Sequence, residues 1–442
     1  MTKLKIKDGE MTTINYLENW HTIKLGDIVK EIIDNRGKTP PITSNGYELL
    51  EVNSIKSGYR HPDYSKVEKF INETTYRNWF RSGHILKDDL IIPTVGTIGG
   101  LAISPENRGS IAQNLIALRL KREVNPLFIY YLLSSLDYRE KILNLDIGGV
   151  QPSIKVPHLV NLDITIPKPL TQAKVVGILS SLDDKIEMNR KINKNLEKLA
   201  GTIFKKWFID FDFPNENGEP YRSSGGKMID SELGEIPYRW QIELLTDFVT
   251  IDKGLSYKGV DLGDEGKNLL IGLKCFERGG GFRIDGAKQF SGEFKSQHLL
   301  NPGDLIVAMT DLTQGAEVLG KPAIVPIINN AEHLIASLDV SILRPKNQQI
   351  SKIYLYTLFM RQETQDYLFG YSNGSTVLHL SIKGLNEFKL VVGPDDILQK
   401  FNNIIELIFS QAQIFNSEIQ NLQIIRDSLL SRLMSGKIRV KI

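Results

Sequence analysis

Residues 20–29 read WHTIKLGDIV, and residues 240–249 read WQIELLTDFV. Trp, Leu, Asp and Val occupy the same positions in both stretches, so the second stretch repeats the spacing of the first. Self-similarity at a fixed distance is typical of a duplicated structural unit. We therefore expect two copies of one fold, and the rest of each copy should show the same order of elements.

Later stretches extend the repeat. HILKDDLII at 84–92 is matched by HLLNPGDLIV at 298–307, which places a turn before an apolar strand in both copies. NPLFIYYLLSSLDYREKIL at 125–143 and ISKIYLYTLFMRQETQDYLF at 350–369 both have the spacing of a helix. GGVQPSIK and GSTVLHLSIK follow, and both end in Ser-Ile-Lys before a short strand. Each copy thus predicts a mixed α/β domain of roughly 150 residues.

The first of these helices begins with a clear start signal. Asn125 is a natural N-cap, and Pro126 suits the first helical turn. NPLF also differs by one letter from the Asn-Pro-Pro-Phe motif of amino-methyltransferases, but Leu127 replaces the second Pro and an amphipathic helix follows. A helix cap is therefore the better interpretation. The stripe that this helix should bury is Ile129, Leu132, Leu133 and Leu136.

A long helix is predicted to close each copy. Residues 172–208 contain no Pro, and their apolar positions step by four and three, which is a heptad seam. At ~1.5 Å per residue this helix would span roughly 55 Å, which is longer than a small domain is wide. The same steps recur near the end of the second copy. The predicted seam positions are Leu179, Leu182, Ile186, Asn189, Asn193, Leu196, Ile203, Ile405, Ile408, Phe415, Ile419, Leu422 and Leu429.

Two such helices in one chain bury their seams most economically on each other. Asn189 and Asn193 are polar seam positions, which fix register at a cost in stability. If a two-fold axis relates the copies, the two helices are antiparallel and the arrangement is closed. If a translation relates them, the helices are parallel and the copies form an open array. Self-complementary seams favour the closed, two-fold arrangement. The alternative is two separate helices, each docked on its own domain. The predicted fold is an α/β (α+β) tandem repeat, with two globular domains joined by two antiparallel coiled-coil helices in pseudo-two-fold symmetry.

Composition limits the function. The chain has 442 residues, of which 41% are hydrophobic and 24% charged, and this composition is typical of a globular protein. Its net charge of +2 does not indicate a basic nucleic-acid-binding patch. No apolar run approaches the ~18 residues of a membrane span, and the start lacks the apolar core of a signal peptide, so a cytoplasmic protein is expected. One cysteine, Cys275, excludes an intramolecular disulfide and a multi-cysteine zinc site, and no metal-ligand spacing is found among the histidines.

Two similar globes on a stiff spacer suit an extended ligand with approximate two-fold symmetry. Duplex DNA is such a ligand, because half-sites about one helical turn apart present the same groove on the same face. The copies differ in their loops, so each would recognise its own short sequence, and the helices would act as a ruler. The alternative is a non-DNA scaffold, an adaptor with two ligand-binding heads on a coiled-coil spacer, which predicts no retention on DNA.

The segment WFIDFDFPNENGEPYRSSGGKMIDSELGEIPYRW at 207–240 separates these alternatives. It resembles the connector that specificity subunits of type I restriction–modification systems carry between the first central helix and the second target-recognition domain. IPKPLTQAKVVGILSSLDDKI at 166–186 resembles the strand-to-helix junction of the same family, with Gln172 as its Gln. The likeness covers nearly the whole chain, although the second junction, GPDDILQKFNNII, is weaker and residues 1–19 have no counterpart.

The resemblance implies that the chain recognises a bipartite double-stranded DNA target and directs adenine methylation and DNA cleavage by partner subunits. Two modification (methyltransferase) subunits would bind it, and restriction (nuclease and translocase) subunits could join them. S-adenosylmethionine would bind to the partner methyltransferase, so this chain would hold no cofactor and catalyse nothing. A self-sufficient methyltransferase is the third hypothesis, and it predicts that the pure chain binds the methyl donor.

The same resemblance divides the chain into six segments. They are an N-terminal extension (1–19), target-recognition domain 1 (20–167), a central conserved helix (168–210), a linker (211–239), target-recognition domain 2 (240–394) and a C-terminal conserved helix (395–442).

Base recognition needs donors and acceptors at base edges, and phosphate binding needs Lys and Arg. Loops that flank the small strands supply both. In the first domain the expected DNA-binding residues are Arg36, Lys38, Thr39, Lys56, Arg60, Gln151, Ser153 and Lys155. In the second they are Lys253, Tyr257, Lys258, Lys274, Arg278, Asn373, Thr376, His379, Ser381 and Lys383. Ordinary surface polarity is the alternative for each of them, and Ser153 and Ser381 are equally suited to capping a turn.

Two further patterns resemble catalytic motifs. DDK at 183–185 could be a nuclease carboxylate pair, but it is predicted to lie on the exposed face of the long helix, where charge is solvated. GGGFRIDGAK at 279–288 lacks the Gly-Lys-Ser/Thr order of a phosphate-binding loop. Neither pattern predicts catalysis in this chain.

Overall fold

The computed structural model describes residues 2–7, 10–15, 20–37, 39–56, 58–96, 98–148, 152–263, 266–312, 315–328 and 331–441. The chain divides into two compact units. Unit 1 is Met1–Asn189 with Glu418–Ile442, and unit 2 is Arg190–Ser417. Both units mix helices and strands, so the prediction of a mixed α/β repeat with two domains is confirmed.

Unit 1 is built on a four-stranded antiparallel sheet. In spatial order its strands are Val29–Ile33, Leu115–Leu120, Leu90–Pro93 and Ala102–Ile103. Smaller sheets pair Trp20–Lys24 with Asp163–Pro167, place Tyr47–Leu50 between Phe70–Ile71 and Ser110–Ile111, and form a hairpin from Thr2–Lys7 and Glu10–Asn15. The shorter helices are Leu25–Ile28, Glu73–Asn78, Pro126–Ser134, Leu136–Leu143 and Val156–Val160.

Unit 2 repeats this plan. Its corresponding four-stranded sheet has the order Val249–Lys253, Val340–Pro345, Leu305–Ala308 and Pro322–Ile324. A second four-stranded sheet has the order Lys288–Phe290, Asn268–Ile271, His333–Ala336 and Leu299–Leu300. A three-stranded sheet has the order Thr310–Asp311, Leu378–Leu380 and Ser372–Asn373. Two two-stranded sheets pair Gln241–Leu244 with Lys389–Val392 and Met228–Ile229 with Ile236–Pro237. The shorter helices are Leu245–Phe248, Lys352–Phe359, Gln362–Phe369 and Ile382–Asn386.

The predicted helix cap is confirmed. The Asn125 side chain accepts a hydrogen bond from the Phe128 N–H at 3.3 Å, and Ser351 caps the equivalent helix of unit 2 in the same way. The predicted stripe is wrong at Leu136, which is 72% exposed. The backbone at Ser135 is extended, so the first helix ends at Ser134 and a new helix starts at Leu136. The side chain of Leu136 therefore does not continue the buried stripe of the first helix.

The two long helices form the predicted seam. They span Pro169–Phe208 and Asp395–Met434, 40 residues each, and the first starts three residues before the predicted range. In unit 1 Asn189 bonds to Glu418, and in unit 2 Asn193 bonds to Asn416 and Phe204 contacts Phe401. Within each unit, residue numbers rise along one helix as they fall along the other, so the segments are antiparallel.

The burial of the seam agrees with this pairing. Every predicted seam position is buried or half-buried, and none is exposed. The helix segments therefore pack on each other within each unit, and the alternative of helices docked only on their own domains is wrong. Because 40 residues at ~1.5 Å per residue give roughly 60 Å, each helix is long enough to contribute to both units.

The segment between the first long helix and the second domain packs into unit 2. Phe211 and Phe213 are buried and lie against Trp240, with ring centroids 5.5 and 5.1 Å apart. Phe208 also contacts Trp240 at 5.7 Å. This aromatic cluster joins the end of the helix to the first strand of the domain, so the linker predicted at 211–239 is part of the core of unit 2.

Candidate DNA interface

A small sheet of unit 2 gathers several of the predicted residues. Its three strands are Thr310–Asp311, Leu378–Leu380 and Ser372–Asn373. Thr310 is paired with His379, and His379 with Asn373. Directly opposite residues of antiparallel strands point to the same face. Thr310, His379 and Asn373 therefore form one line of polar side chains across three strands, which we call the polar row.

Within the polar row, His379 and Asn373 are open to solvent, whereas Thr310 is buried. Leu380 is buried whereas His379 is exposed, as the alternation of a strand requires. The Thr310 hydroxyl is 3.3 Å from Nδ1 of His379. Since Nδ1 is engaged, Nε2 is the ring nitrogen left to meet a hydrogen-bonding group outside the protein. The exposed Asn373 amide adds both a donor and an acceptor beside it.

A tight turn joins the outer strand Ser372–Asn373 to the middle strand Leu378–Leu380. Gly374 has φ +111°, and a Cβ there would lie 2.0 Å from the Val377 carbonyl oxygen, so only glycine fits. Thr376 is exposed at the tip of the turn. Ser381 accepts from the Lys383 N–H at 3.3 Å and caps the next helix, and the Lys383 ammonium lies 3.5 Å from Glu387. Ser381 thus has a structural role.

The predicted cations of unit 2 differ in how far they are neutralised. Lys253, Lys258 and Lys274 are exposed. Arg278 is exposed as well, but its guanidinium pairs with Glu317 at 3.1 Å. Tyr257 is half-buried and packs against an apolar cluster, which gives it a structural role in addition to any contact with a ligand.

Ser337 lies between the chain segments that carry Lys253 and Lys274. Leu255, two residues after Lys253, forms a bridge with Ser337, and the Ser337 N–H donates to the carbonyl of Ile271, three residues before Lys274. Ser337 thus bonds to the chain close to both lysines.

In unit 1 the predicted Arg36 is already paired. Its guanidinium donates to both carboxylate oxygens of Asp34, at 2.8 and 2.6 Å, and these bonds hold the pKa of Asp34 below its usual value. Thr39 is exposed, whereas Lys38 lies outside the described residues. Lys56 pairs with Asp63 at 2.9 Å. A phosphate would have to compete with these carboxylates for both cations.

The loop before the Ser-Ile-Lys stretch of unit 1 is closed by one carboxylate. Asp146 accepts hydrogen bonds from the N–H groups of Ser153 and Gly148, both at 2.8 Å, and these bonds lower the pKa of Asp146. Lys155 is exposed and precedes the helix Val156–Val160. Gln151, the predicted adenine reader, lies outside the described residues. The loop occupies the same place in the repeat as the hairpin of unit 2.

Arg60 does not face solvent. It is 9% exposed, and one guanidinium nitrogen lies 2.6 Å from Asp184 and 2.9 Å from Glu187, both on the first long helix. Burial disfavours its charge, but these carboxylates outweigh that effect and raise the pKa of Arg60. In this position Arg60 ties the domain to the helix, and we leave it out of the proposed DNA contacts.

The DDK stretch at 183–185 is not wholly exposed, contrary to the prediction. Asp183 is 3% exposed, pairs with Arg426 at 2.8 Å and accepts a hydrogen bond from the Tyr131 hydroxyl at 2.7 Å. Only Asp184 and Lys185 lie on the exposed face. Arg426 lies on the second long helix, and this buried partner explains why a cation is found there.

A second ionic cluster, which the sequence analysis missed, occurs in both units. Asp89 is buried and pairs with Arg119 at 2.8 Å, and the equivalent Asp304 pairs with Lys352 at 2.9 Å and lies 3.8 Å from Arg344. The signal was present, because both Asp residues precede Leu-Ile in the repeat. These carboxylates stabilise the fold.

Two searches of the described residues gave negative results. Among them, no cluster of three or more His, Cys, Asp or Glu side chains is arranged to hold a metal ion. None of their helices combines the length and apolarity that crossing a bilayer requires.

Comparison with known proteins shows which proteins the chain resembles. Residues 17–198 match the family model of the type I restriction modification DNA specificity domain. Over 416 residues the chain is 28% identical to the type I restriction enzyme MjaIX specificity subunit of Methanocaldococcus jannaschii, covering 92% of this chain and 88% of that protein. The chain is therefore similar to a type I specificity subunit over most of its length.

Two further specificity subunits are also similar to this chain. The HindI specificity subunit of Haemophilus influenzae is 28% identical over 366 residues, covering 71% of this chain and 78% of that protein. The S subunit of a type I system from M. genitalium, solved by crystallography, aligns over 94% of this chain and 96% of that chain, with 17% identity and a TM-score of 0.49. The matched family model describes a DNA specificity domain, and the exposed groups of the polar row are hydrogen-bonding groups of the kind that base recognition requires.

Proposed function

We propose that this chain is a type I specificity subunit and recognises a bipartite double-stranded DNA target, with one half-site for each α/β unit. The repeated fold carries the proposal, because two copies of one recognition domain in a single chain are suited to two separated sequences. At the same place in the repeat, unit 2 has the hairpin of the polar row and unit 1 has the loop closed by Asp146. Because these surfaces differ, the two half-sites would differ in sequence.

The contacts would divide between phosphates and bases. Lys253, Lys258 and Lys274 have exposed ammonium groups suited to phosphates. His379 and Asn373 would meet base edges, where an Asn amide can bond bidentately to adenine. In unit 1, Thr39 and Lys155 are exposed, and Lys38 and Gln151 remain predictions from the sequence. The long helices would determine the spacing between the half-sites.

Catalysis would belong to partner subunits. Two modification subunits, each with its own S-adenosylmethionine, would methylate adenines, and restriction subunits would cleave DNA. In support, the buried carboxylates Asp89, Asp183 and Asp304 are each held by Arg or Lys, so they are engaged in the fold of this chain.

One experiment tests the assignment as a whole. The chain is co-expressed with the methyltransferase subunit encoded beside it, and methylated adenines are mapped across the host genome. A single two-part motif with a fixed gap is expected. His379→Ala should relax one position in one half of the motif only, while Ser375→Ala, at an exposed residue of the same hairpin, serves as the matched control. Methylation that follows a single continuous motif would refute the bipartite proposal.

A binding measurement separates this chain from an enzyme. The purified chain is titrated with S-adenosylmethionine alone and then with its methyltransferase partner present. We expect binding only when the partner is present. Saturable binding to the chain alone would refute the assignment of the cofactor to the partner.

A further inference from the structure

Unit 2 contains a cavity of about 700 Å³ beside the strand Lys389–Val392. Phe204, Phe208 and Tyr354 form part of its wall, and most of its lining is apolar. This volume falls in the range of sites that hold small molecules or side chains of a partner. The polar residues at its rim are already engaged with each other: Arg361 and Glu363 form an ion pair at 2.7 Å, which leaves little net charge to attract an ion.

Unit 1 fills the corresponding place with one of its own side chains. Tyr138, on the helix Leu136–Leu143, is 6% exposed, and its hydroxyl oxygen accepts a hydrogen bond from the Thr165 N–H at 2.9 Å. Thr165 belongs to the strand Asp163–Pro167. The Lys141 ammonium lies 4.2 Å from the centre of the Tyr138 ring, which adds a cation–π contact. The hydroxyl therefore joins the helix to the strand, and the cation–π contact holds the ring from within the same helix.

The repeat identifies the residue that replaces this tyrosine. The helix Gln362–Phe369 and the strand Lys389–Val392 follow their counterparts in unit 1 at one and the same offset along the chain. That offset takes Tyr138 to Thr364 and Thr165 to Val391. Thr364 lines the cavity. Unit 2 thus keeps the helix and the strand that hold a phenol in unit 1, but it lacks the ring between them.

The strand keeps the backbone donor that such a phenol would use. Lys389–Val392 is paired with Gln241–Leu244, and Val391 stands opposite Ile242. The Tyr354 hydroxyl donates to the Val391 carbonyl at 3.4 Å, so the polar groups of Val391 point away from the paired strand and toward the cavity. In an antiparallel pair, the N–H and C=O of one residue point to the same side. The Val391 N–H therefore faces the place that corresponds to the Tyr138 hydroxyl.

We propose that this cavity is a docking site for a tyrosine side chain from an extended segment of a partner protein. The ring enters beside Thr364, and its hydroxyl accepts from the Val391 N–H, as Tyr138 accepts from Thr165. The outer edge of the strand offers further backbone groups to the segment that carries the tyrosine, which favours a polypeptide over a free phenol. This inference is independent of which DNA sequence the subunit recognises.

Titration of the full chain with small probes tests the site. N-acetyl-tyrosinamide is expected to bind saturably, one per chain, with a dissociation constant on the order of 1 mM. N-acetyl-phenylalaninamide lacks the hydroxyl and should bind at least threefold more weakly. p-Cresol lacks the backbone amides and should also bind more weakly than N-acetyl-tyrosinamide. Absence of saturable binding would overturn the proposal, and equal or tighter binding of p-cresol would overturn the assignment to a polypeptide.

Two substitutions link the binding to the cavity. Thr364→Tyr supplies the missing ring from the chain itself and should weaken N-acetyl-tyrosinamide binding at least tenfold while raising the melting temperature of unit 2. Gln362→Tyr adds a ring at an exposed position of the same helix outside the cavity lining and should bind the probe as the parent does. The Tyr138→Thr variant should open the same cavity in unit 1 and add a second binding event. Unchanged binding by Thr364→Tyr would show that the probe sits elsewhere.

Discussion

The buried ion pair between Asp183 and Arg426 makes a sharp prediction about unit 1. Asp183 is 4% exposed and Arg426 13% exposed as side chains, so water solvates neither charge well. Removing one partner of a buried pair costs about 3–5 kcal/mol, because the other charge stays in the protein without compensation. The Arg426→Met variant keeps an unbranched apolar stem and removes the charged guanidinium with its hydrogen bonds. It should therefore destabilise unit 1 strongly.

The structure places the cost at the lower end of that range. The Tyr131 hydroxyl still donates to Asp183 at 2.7 Å after the substitution, so the carboxylate retains one hydrogen bond. A loss of about 3 kcal/mol corresponds to roughly 100-fold faster amide exchange wherever exchange requires opening of the unit. Adding Tyr131→Phe removes that bond and should cost about 1.5–3 kcal/mol more, as expected for a hydrogen bond to a charged group.

Hydrogen–deuterium exchange of the full chain, followed by mass spectrometry, measures this effect unit by unit. Peptides that cover Leu115–Leu120 report on unit 1, and peptides that cover Val340–Pro345 report on unit 2. Only the first set should accelerate in Arg426→Met. The matched control is Arg426→Met with Asp183→Asn, which leaves no buried charge and should recover most of the protection. The reasoning is refuted if the double variant exchanges as fast as the single one.

Three shorter predictions concern pH, reactivity and DNA. Burial lowers the pKa of His84, whose Nε2 bonds to the Tyr76 carbonyl and whose Nδ1 is buried without a partner among the described residues. Below pH ~6.5 the unfolded chain binds a proton at this histidine, whereas the folded chain binds it only at a lower pH. The stability that neutral His84 contributes is therefore fully present above pH ~6.5 and decreases as the pH falls toward the folded pKa. The melting temperatures at pH 5 and pH 7 should differ less in His84→Phe than in the parent. Burial raises the pKa of Cys275 to about 11, so iodoacetamide at pH 8 should label it only when unit 2 opens. Lys258→Ala should weaken binding to every duplex and reduce the salt slope by about 0.9, whereas Gln151→Ala should change the preference at one base pair.

Each of these has a result that would contradict it. Equal pH sensitivity of parent and His84→Phe would remove that histidine as the cause. Labelling of Cys275 at the same rate in native and unfolded protein would contradict its burial. A uniform loss of affinity across all sequences in Gln151→Ala would show that this residue does not recognise bases.

The sequence predicts what depends on local periodicity. The seam from Leu179 to Leu429, the Asn125 cap and the repeated order of elements follow from spacing along the chain, and all are confirmed. Leu136 was misplaced because apolar spacing continues across a break in the backbone at Ser135. A pattern of apolar residues does not reveal a change in helix axis.

Contacts between distant residues were beyond sequence reasoning. Asp183 and Arg426 are 243 positions apart, so neither predicts the other's burial. Arg60 has the composition of a phosphate ligand, yet two carboxylates 124 and 127 positions away neutralise it. Likewise, the polar row depends on Thr310 being opposite His379, a register that no local motif encodes. The sequence therefore predicts a set of candidate DNA-binding residues, but it does not show which of them are available to contact DNA.

The spacing of the repeat constrains insertions and deletions. The offset between the copies is the same at the Asn125 cap, matched by Ser351, and at the end of the long helix, where Phe208 is matched by Met434. The offset is not constant among the strands of the four-stranded sheets, which come earlier in each copy. An extra residue in a helix turns everything beyond it by about 100° and would carry the apolar stripe away from its partner, but an extra residue in a loop only changes the outline of that loop. The earlier part of each copy, which holds the four-stranded sheet and its loops, can therefore vary in length. The later part, which in unit 2 includes Asn373, His379 and the long helix, cannot.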